Sequence, residues 1–142
     1  IDLAQATVDQ LHLTDRVEFR SGNFHDIEIE SDQYDIVVLG NICRTEGDEL
    51  SRSLVGRAHD ALRVGGSILI VDYFADKTRK FNPFGVQMGL TMLANTVRGA
   101  MLTDEQVVGW LQDAQFTAIR LLEPIGFHFV YVADKQLTSF TH

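Results

Sequence analysis

Three short segments of the chain carry polar or aromatic side chains, two of them beside a glycine, in a way that could hold a small ligand. They are residues 21–24, 40–44 and 72–74. Gly22 and Gly40 let a ligand approach the backbone closely. Asn23 offers a hydrogen-bond donor and an acceptor, as recognition of a heterocycle edge requires, and Phe24 could form an apolar wall. The same residue types are common in simple turns, so their spacing alone leaves both interpretations open.

Other catalytic arrangements have no counterpart in this sequence. It contains no G-x-G-x-x-G or G-x-x-x-x-G-K-[ST] phosphate loop, no metal-ligand spacing and no G-x-S-x-G nucleophile motif. Cys43 lies in the second segment, but it is better explained as a small buried apolar residue than as a nucleophile. Among the five histidines, His25 lies beside a candidate ligand segment.

A helix predicted at residues 83–95 carries a stripe of aromatic, methionine and polar side chains. The stripe consists of Phe84, Met88, Thr91, Met92 and Asn95. Methionine and aromatic groups form adaptable apolar surfaces, which would suit the wall of a substrate pocket. A stripe at helical spacing can equally pack into the core, and a residue can do both.

Hydrophobic periodicity predicts the elements that position these segments. The predicted strands cover residues 17–20, 34–39, 67–72, 116–122 and 127–132. The predicted helices cover residues 1–11, a stretch from a loose capping box at 45–48 to residue 62, residues 83–95 after the N-cap Asn82, and a stretch from the capping box at 103–106 to about residue 114. Gly65 and Gly66 read as a turn before the third strand, and residues 123–126 as a hairpin turn.

This order favours an α/β fold with a mostly parallel sheet. Strands and helices alternate in the middle of the chain, which is typical of a parallel sheet. The last two strands are joined by a four-residue turn and must be antiparallel. In open α/β sheets ligands bind beyond the carboxyl ends of the strands, and each candidate segment follows a predicted strand.

The composition narrows the classes of partner. The 142 residues are 45% hydrophobic and carry a formal net charge of −8, which suits one globular domain. We expect neither a nucleic acid as partner, because lysine and arginine form no cluster, nor a membrane, because no apolar stretch approaches about 20 residues. A single cysteine excludes an internal disulfide and favours a reducing compartment, the cytoplasm. The start at Ile1, inside a predicted helix, suggests part of a longer protein.

Four groups of residues follow a recognisable order. They are DRVEFRSGNF at 15–24, YDIVVLGNIC at 34–43, ALRVGGSILIVD at 61–72, and the spaced residues Gly99, Thr103, Leu111, Ala114 and Phe116. Together they resemble the motifs of S-adenosylmethionine-dependent O-methyltransferases of the plant-caffeate and bacterial-polyketide type. Gln115 stands where that family usually has glycine.

The resemblance implies a Rossmann-like class I methyltransferase fold, whose seven strands have the order 3-2-1-4-5-7-6 with the seventh antiparallel. The five predicted strands would be the third to the seventh. The first two strands, the glycine-rich cofactor loop and an N-terminal domain that forms a homodimer would lie before Ile1, so residues 1–142 would be part of the catalytic domain. Strands three and four would then be separated by roughly three strand spacings, on the order of 14 Å. We therefore expect residues 1–142 alone to be unstable, rearranged or completed by another chain.

The resemblance also implies roles for individual residues. The site for S-adenosylmethionine would be formed by Gly22, Asn23, Phe24, Leu39, Gly40 and Asn41. The first three would flank the adenine, with Asn23 in place of the usual aspartate, and Gly40 and Asn41 would lie near the methionine end. The family's catalytic histidine falls on Arg44, one supporting carboxylate on Asp72 and the other near Met101.

Arg44 changes what mechanism can be expected. In the plant-type mechanism a histidine removes a proton from a phenolic hydroxyl, whereas a guanidinium stays protonated and cannot act as a base. Arg44 could instead stabilise a phenolate or carboxylate that is already ionised, or hold a different substrate by a bidentate contact.

The expected function is methyl transfer from S-adenosylmethionine to a small-molecule acceptor of secondary metabolism, at a hydroxyl oxygen, with carbon and nitrogen left open. The alternative is a non-catalytic or repurposed methyltransferase-like module for binding or assembly, because the family's base position is Arg44.

Overall fold

The structure, a computed structural model, describes residues 1–76, 78 and 82–136. Within these residues the elements are α1 (Asp2–Gln10), β1 (Tyr34–Gly40), α2 (Cys43–Ala61), β2 (Leu62–Asp72), α3 (Pro83–Asn95), α4 (Asp104–Asp113), β3 (Thr117–Leu121) and β4 (Phe129–Asp134). This is the predicted order, except that residues 17–20 are not a strand.

The described strands form one mixed sheet in the order β1-β2-β4-β3. β1 and β2 pair parallel, whereas β4 pairs antiparallel with both β2 and β3. The antiparallel C-terminal pair is as predicted, and the strand order is the 4-5-7-6 part of the order that the resemblance implies. The prediction of a mostly parallel sheet is not met, because β4 lies between β2 and β3 and leaves β1–β2 as the parallel pair among the described strands.

β1 and β2 bring two of the candidate segments to the same edge of the sheet. Their register runs from Ile36 opposite Ser67 to Gly40 opposite Val71, so the two strands end side by side. β2 begins earlier than predicted because Gly65 does not turn the chain. It takes a φ of 85° inside the strand, and the ladder is irregular on either side of it, as at a β-bulge.

Residues 17–20 have no strand partner within the described part of the chain. Alternating side chains alone do not make a strand, because the strand depends on a ladder of hydrogen bonds to a neighbour. The described sheet ends at β1 instead. On this edge strand Ile36 and Val38 are 60% and 57% exposed.

α2 begins earlier than predicted and bends in its second turn. It starts at Cys43, and Gly47 interrupts it with a φ of 78° and a ψ of −173°. Glycine suits this conformation because it lacks a Cβ. It also suits the space, because a Cβ on Gly47 would lie 2.6 Å from the carbonyl oxygen of Arg98.

The capping box predicted at residues 45–48 is wrong. The hydroxyl of Thr45 donates to the carbonyl of Ile42 at 2.7 Å. The carboxylate of Asp48 accepts from the indole N–H of Trp110 in α4 at 2.9 Å. A contact to a buried tryptophan 62 residues later has replaced the local cap.

The other predicted caps are confirmed. The side chain of Asn82 accepts from the amide of Gly85, with Pro83 in the first turn of α3. At α4 the side chains of Thr103 and Gln106 each accept from the backbone amide of the other. The hairpin turn lies slightly later than predicted, because a bridge between Ile125 and His128 encloses Gly126, whose φ is 64°.

The core lies between the sheet and the helices α2 and α4. Its buried side chains include Val55, Ala58, Leu62, Ile68, Ile70, Val107, Trp110, Leu111, Phe116 and Tyr131. Burying one such aliphatic or aromatic side chain contributes roughly 1.5–3 kcal/mol. This packing joins α2 to β2 and fixes the helix start relative to the end of the strand.

Candidate functional site

The two residues expected to be catalytic are in contact. Asp72, fully buried at the end of β2, accepts from the Arg44 guanidinium Nη1 at 2.5 Å and from the Arg44 backbone amide at 3.2 Å. The amide of Tyr73 also donates to this carboxylate, at 2.8 Å. Both oxygens of Asp72 therefore accept hydrogen bonds inside the protein, and they hold the Arg44 guanidinium in place.

Arg44 is held on three sides. Its Nη1 also donates to the side-chain oxygen of Asn41 at 2.7 Å, and its guanidinium carbon lies 5.0 Å from the centre of the Tyr73 ring. Its Nε is buried without a hydrogen-bond partner among the described residues. A buried donor without a partner is costly, so this N–H is an unusual feature of the site.

The end of β1 leaves open space beside Arg44. Asn41 has a φ of 57°, a left-handed conformation that asparagine tolerates better than most residues. Its amide donates to the carbonyl of Val71 at 2.8 Å and continues the ladder past the strand. A Cβ on Gly40 would meet no atom within 4 Å. A ligand could therefore lie against the backbone at Gly40.

The loop of residues 22–27 keeps its shape through Asn23. The amide nitrogen of Asn23 donates to the carboxylate of Asp26 at 2.7 Å, and its oxygen accepts from the backbone amide of His25 at 3.1 Å. Phe24 is left 39% exposed. Gly22 has a φ of 146° at the entry to this loop.

Arg57, in α2, holds the same loop and was missed in the sequence. Its guanidinium donates to the carbonyl oxygens of Phe24 at 2.5 Å and His25 at 2.9 Å, and also to that of Ile27. An arginine in mid-helix gives no sequence signal for partners about 30 residues earlier.

A second missed contact joins the loop to the start of α2. The His25 Nε2 lies 2.8 Å from a carboxylate oxygen of Glu46. The two side chains are only 21% and 16% exposed. The position of His25 beside a ligand segment is the available sequence signal, whereas the pattern at residues 45–48 predicts that Glu46 is part of a helix cap.

Phe24 and Leu39 line one apolar groove of about 350 Å³. The groove lies between the loop, β1 and α2, and its other lining residues include Ile27, Tyr34, Val37, Leu54 and Ala58. The first candidate segment, through Phe24, thus shares one concave surface with Leu39, the residue just before the second segment.

The predicted stripe on α3 is only partly buried. The core-facing positions of α3 are Gly85 and Gly89, whereas Phe84, Met88 and Met92 are half-buried and Thr91 and Asn95 are exposed. The stripe is therefore not part of the buried core, although Phe84 and Met92 pack against neighbouring residues.

Two members of the stripe lie close to the Arg44 side of the site. The ring of Phe84 lies 5.1 Å from that of Tyr73 and stacks on Phe127 at 4.5 Å. Met92 packs beside Gly99, next to the carbonyl of Arg44. Met101, where the resemblance places a second carboxylate, packs against Gly89 instead.

Cys43 is a buried apolar residue, as expected from the sequence. It is fully buried, and burial, followed by the charge of Asp72, raises its pKa to about 12. The thiol is therefore protonated at neutral pH and is no nucleophile. In the described part of the chain no three His, Cys, Asp or Glu side chains are grouped to bind a metal ion, and no helix is long and apolar enough to cross a membrane.

Comparison with known proteins gives a family and several relatives. The sequence matches the O-methyltransferase domain family over residues 1–117. It is 31% identical over 116 residues to TcmO, the tetracenomycin polyketide synthesis 8-O-methyl transferase of Streptomyces glaucescens, a match covering 82% of this chain and 34% of that protein. The non-catalytic alternative gains no support from these matches.

Two solved structures share the fold. An O-methyltransferase family 2 protein of Planctomyces limnophilus, in complex with apigenin, has a TM-score of 0.84 at 19% identity over 94% of this chain and 39% of its own. Human N-acetylserotonin methyltransferase, in complex with SAM, has a TM-score of 0.76 at 20% identity over 86% of this chain and 34% of its own.

The chain spans between a third and two fifths of the length of these relatives. At such low identity the two structures establish a common fold and no more. The family match, in contrast, covers most of the residues, and it includes the strands and loops that build the Arg44–Asp72 site. The chain belongs to the O-methyltransferase domain family.

Proposed function

We propose that the protein carrying this chain transfers a methyl group from S-adenosylmethionine to an oxygen of a small-molecule acceptor. The observation that carries the proposal is the meeting, at the carboxyl ends of β1 and β2, of the Arg44–Asp72 pair with the open backbone at Gly40. Ligands of open α/β sheets bind at this edge. Residues 1–142 would be part of the catalytic domain.

The residues present fit the adenine end of S-adenosylmethionine. Phe24 and Leu39 line an apolar groove, which suits a flat heterocycle. The oxygen of Asn23 accepts one hydrogen bond from His25 and keeps a second lone pair for an exocyclic amine. Gly22 would allow close approach there, and Gly40 and Asn41 would lie beside the methionine end. When bound, the cofactor supplies an electrophilic methyl group.

Arg44 would bind the acceptor in the acceptor's anionic form. Its guanidinium cannot remove a proton, but Asp72 and Asn41 hold it in one orientation, so it can stabilise an oxygen that is already ionised. Orientation of acceptor and methyl group can then contribute several kcal/mol to the rate. Phe84, Met88, Thr91, Met92 and Asn95 would form the acceptor wall on α3.

The names of two similar proteins support this assignment. TcmO is named as an 8-O-methyl transferase of polyketide synthesis, and the Planctomyces limnophilus protein is in complex with apigenin, a small molecule. We extend the proposal to a cytoplasmic homodimer of secondary metabolism, formed through a region outside these residues. Light scattering of the full-length protein would test the dimer.

Calorimetric titration of the full-length protein with S-adenosylmethionine tests the cofactor, and transfer of a labelled methyl group to phenolic probe acceptors tests the reaction. We expect binding, and turnover that is lost in Arg44→Ala. Absence of any heat of binding in the folded protein would overturn the proposal.

A further inference from the structure

His25 and Glu46 form a bridge between two segments that the proposed reaction needs together. Their side chains are 2.8 Å apart and mostly buried, although 21 residues separate them in the chain. Exposed ion pairs gain little because water screens them. A hydrogen bond to a carboxylate away from water is stronger.

The turn that carries Glu46 also carries Arg44, and it is firmly held. The Arg44 carbonyl accepts from the amide of Ala100 at 3.0 Å. The carbonyl of Cys43 accepts from the buried hydroxyl of Ser51 at 3.1 Å. Glu46 is therefore presented from a fixed turn, on which Arg44 contacts Asp72 and Glu46 contacts the loop.

The loop is held at its other side by Arg57, which donates to three backbone carbonyl oxygens of the loop. Asn23 bonds within the loop. Among the hydrogen bonds of the described residues, the one from His25 to Glu46 joins the loop to the Arg44 turn. Phe24 is next to His25, and their ring centres lie 4.3 Å apart.

We propose that His25 and Glu46 are positioning residues, which fix Phe24 for the adenine at a set distance from Arg44. The inference rests on the proposed function. Methyl transfer requires the two reactants in one geometry. The bridge connects the loop that would hold the adenine with the turn that would hold the acceptor.

The test compares binding of two probes to the full-length protein by calorimetry. S-adenosylhomocysteine contains the adenosine and the amino acid, and 5′-methylthioadenosine contains the adenosine without the amino acid. Because the bridge acts through Phe24, we expect His25→Ala and Glu46→Ala to weaken both probes by the same factor, about tenfold. Glu46→Gln keeps a hydrogen bond to His25 and should restore affinity.

Two further variants separate positioning from general stability. His25→Ala combined with Glu46→Ala should bind no worse than either single variant, as expected for partners in one contact. Glu46→Asp keeps the charge but shortens the side chain, so it should also weaken binding of both probes. It provides the test if His25→Ala does not fold. His59→Ala is the matched control, since His59 is also half-buried beside a carboxylate, that of Asp60, but its ring packs against Phe116. It should lower the melting temperature without changing either affinity.

The outcomes distinguish this inference from the proposed function. If the wild type binds neither probe, both are overturned. If the wild type binds and the His25 and Glu46 variants bind equally well, or lose affinity for S-adenosylhomocysteine alone, the positioning role is overturned and the proposed function stands.

Discussion

The side chain and the backbone amide of Arg44 both donate to the carboxylate of Asp72, 28 residues later in the chain. This double contact joins the start of α2 to the end of β2. At the position where the resemblance places a histidine base, the chain has a guanidinium with a fixed carboxylate partner. A guanidinium stays protonated in proteins, so Arg44 cannot act here as a base.

Breaking this pair should destabilise the protein. Arg44→Met leaves the buried Asp72 without its charged partner, which should cost about 3–5 kcal/mol of unfolding free energy in urea titrations. Arg44→Met combined with Asp72→Leu should recover most of it. Arg52→Ala, at the exposed pair with Asp113, should cost less than about 1 kcal/mol. Equal losses in Arg44→Met and Arg52→Ala would contradict this account.

Gly47 should tolerate no side chain. Alanine there would hold a left-handed φ and meet the Arg98 carbonyl, so we expect a loss of roughly 1–3 kcal/mol in unfolding free energy. Gly56→Ala, on the same helix with open space around its Cβ, should instead stabilise by up to about 1 kcal/mol. The bend at Gly47 is dispensable if both variants are stabilised.

His59 should make stability depend on pH. Burial, followed by the charge of Lys135, lowers its pKa from 6.5. Above pH 6.5 the folded and unfolded forms are both neutral at this residue, and the stability is fully present. As the pH falls towards the lowered pKa, the unfolded state takes up the proton first and the stability is lost. His59→Gln should therefore flatten the melting temperature between about pH 7 and 5. An unchanged slope would contradict this.

Cys43 should be inert until the protein opens. With a pKa raised to about 12 and no exposed surface, the thiol should not react with a disulfide reagent at pH 8 in the folded state. In denaturant it should react at the rate of an ordinary free cysteine. Fast labelling of the folded protein would show that the start of α2 opens locally.

Local signals predicted much of the fold. The side-chain caps of α3 and α4 need only residues within one turn, and Asn82 and Thr103 make the bonds that their sequence pattern predicts. The apolar runs of β1 and β2 and the short C-terminal hairpin are likewise local. Two of the three ligand segments, residues 40–44 and 72–74, follow from where β1 and β2 end.

Contacts between distant residues could not be predicted in this way. Asp48 has the spacing of a cap but is taken by Trp110, because a buried indole N–H needs an acceptor. The partners of Arg57 and Glu46 lie in a loop whose path is set by the packing of the groove. Whether residues 17–20 form a strand depends on a neighbouring strand. The pattern of these four residues contains no information about such a neighbour.

Within the part of the chain that the structure describes, β1 is an edge strand, and this has a consequence for handling the protein. Its outer backbone groups and the exposed Ile36 and Val38 form a template on which another extended segment can add. The net charge of −8 opposes such addition by repulsion. High salt or a pH near the isoelectric point of about 4.9 should therefore promote β-rich aggregates from any form that leaves this edge free. Val38→Lys should prevent this aggregation.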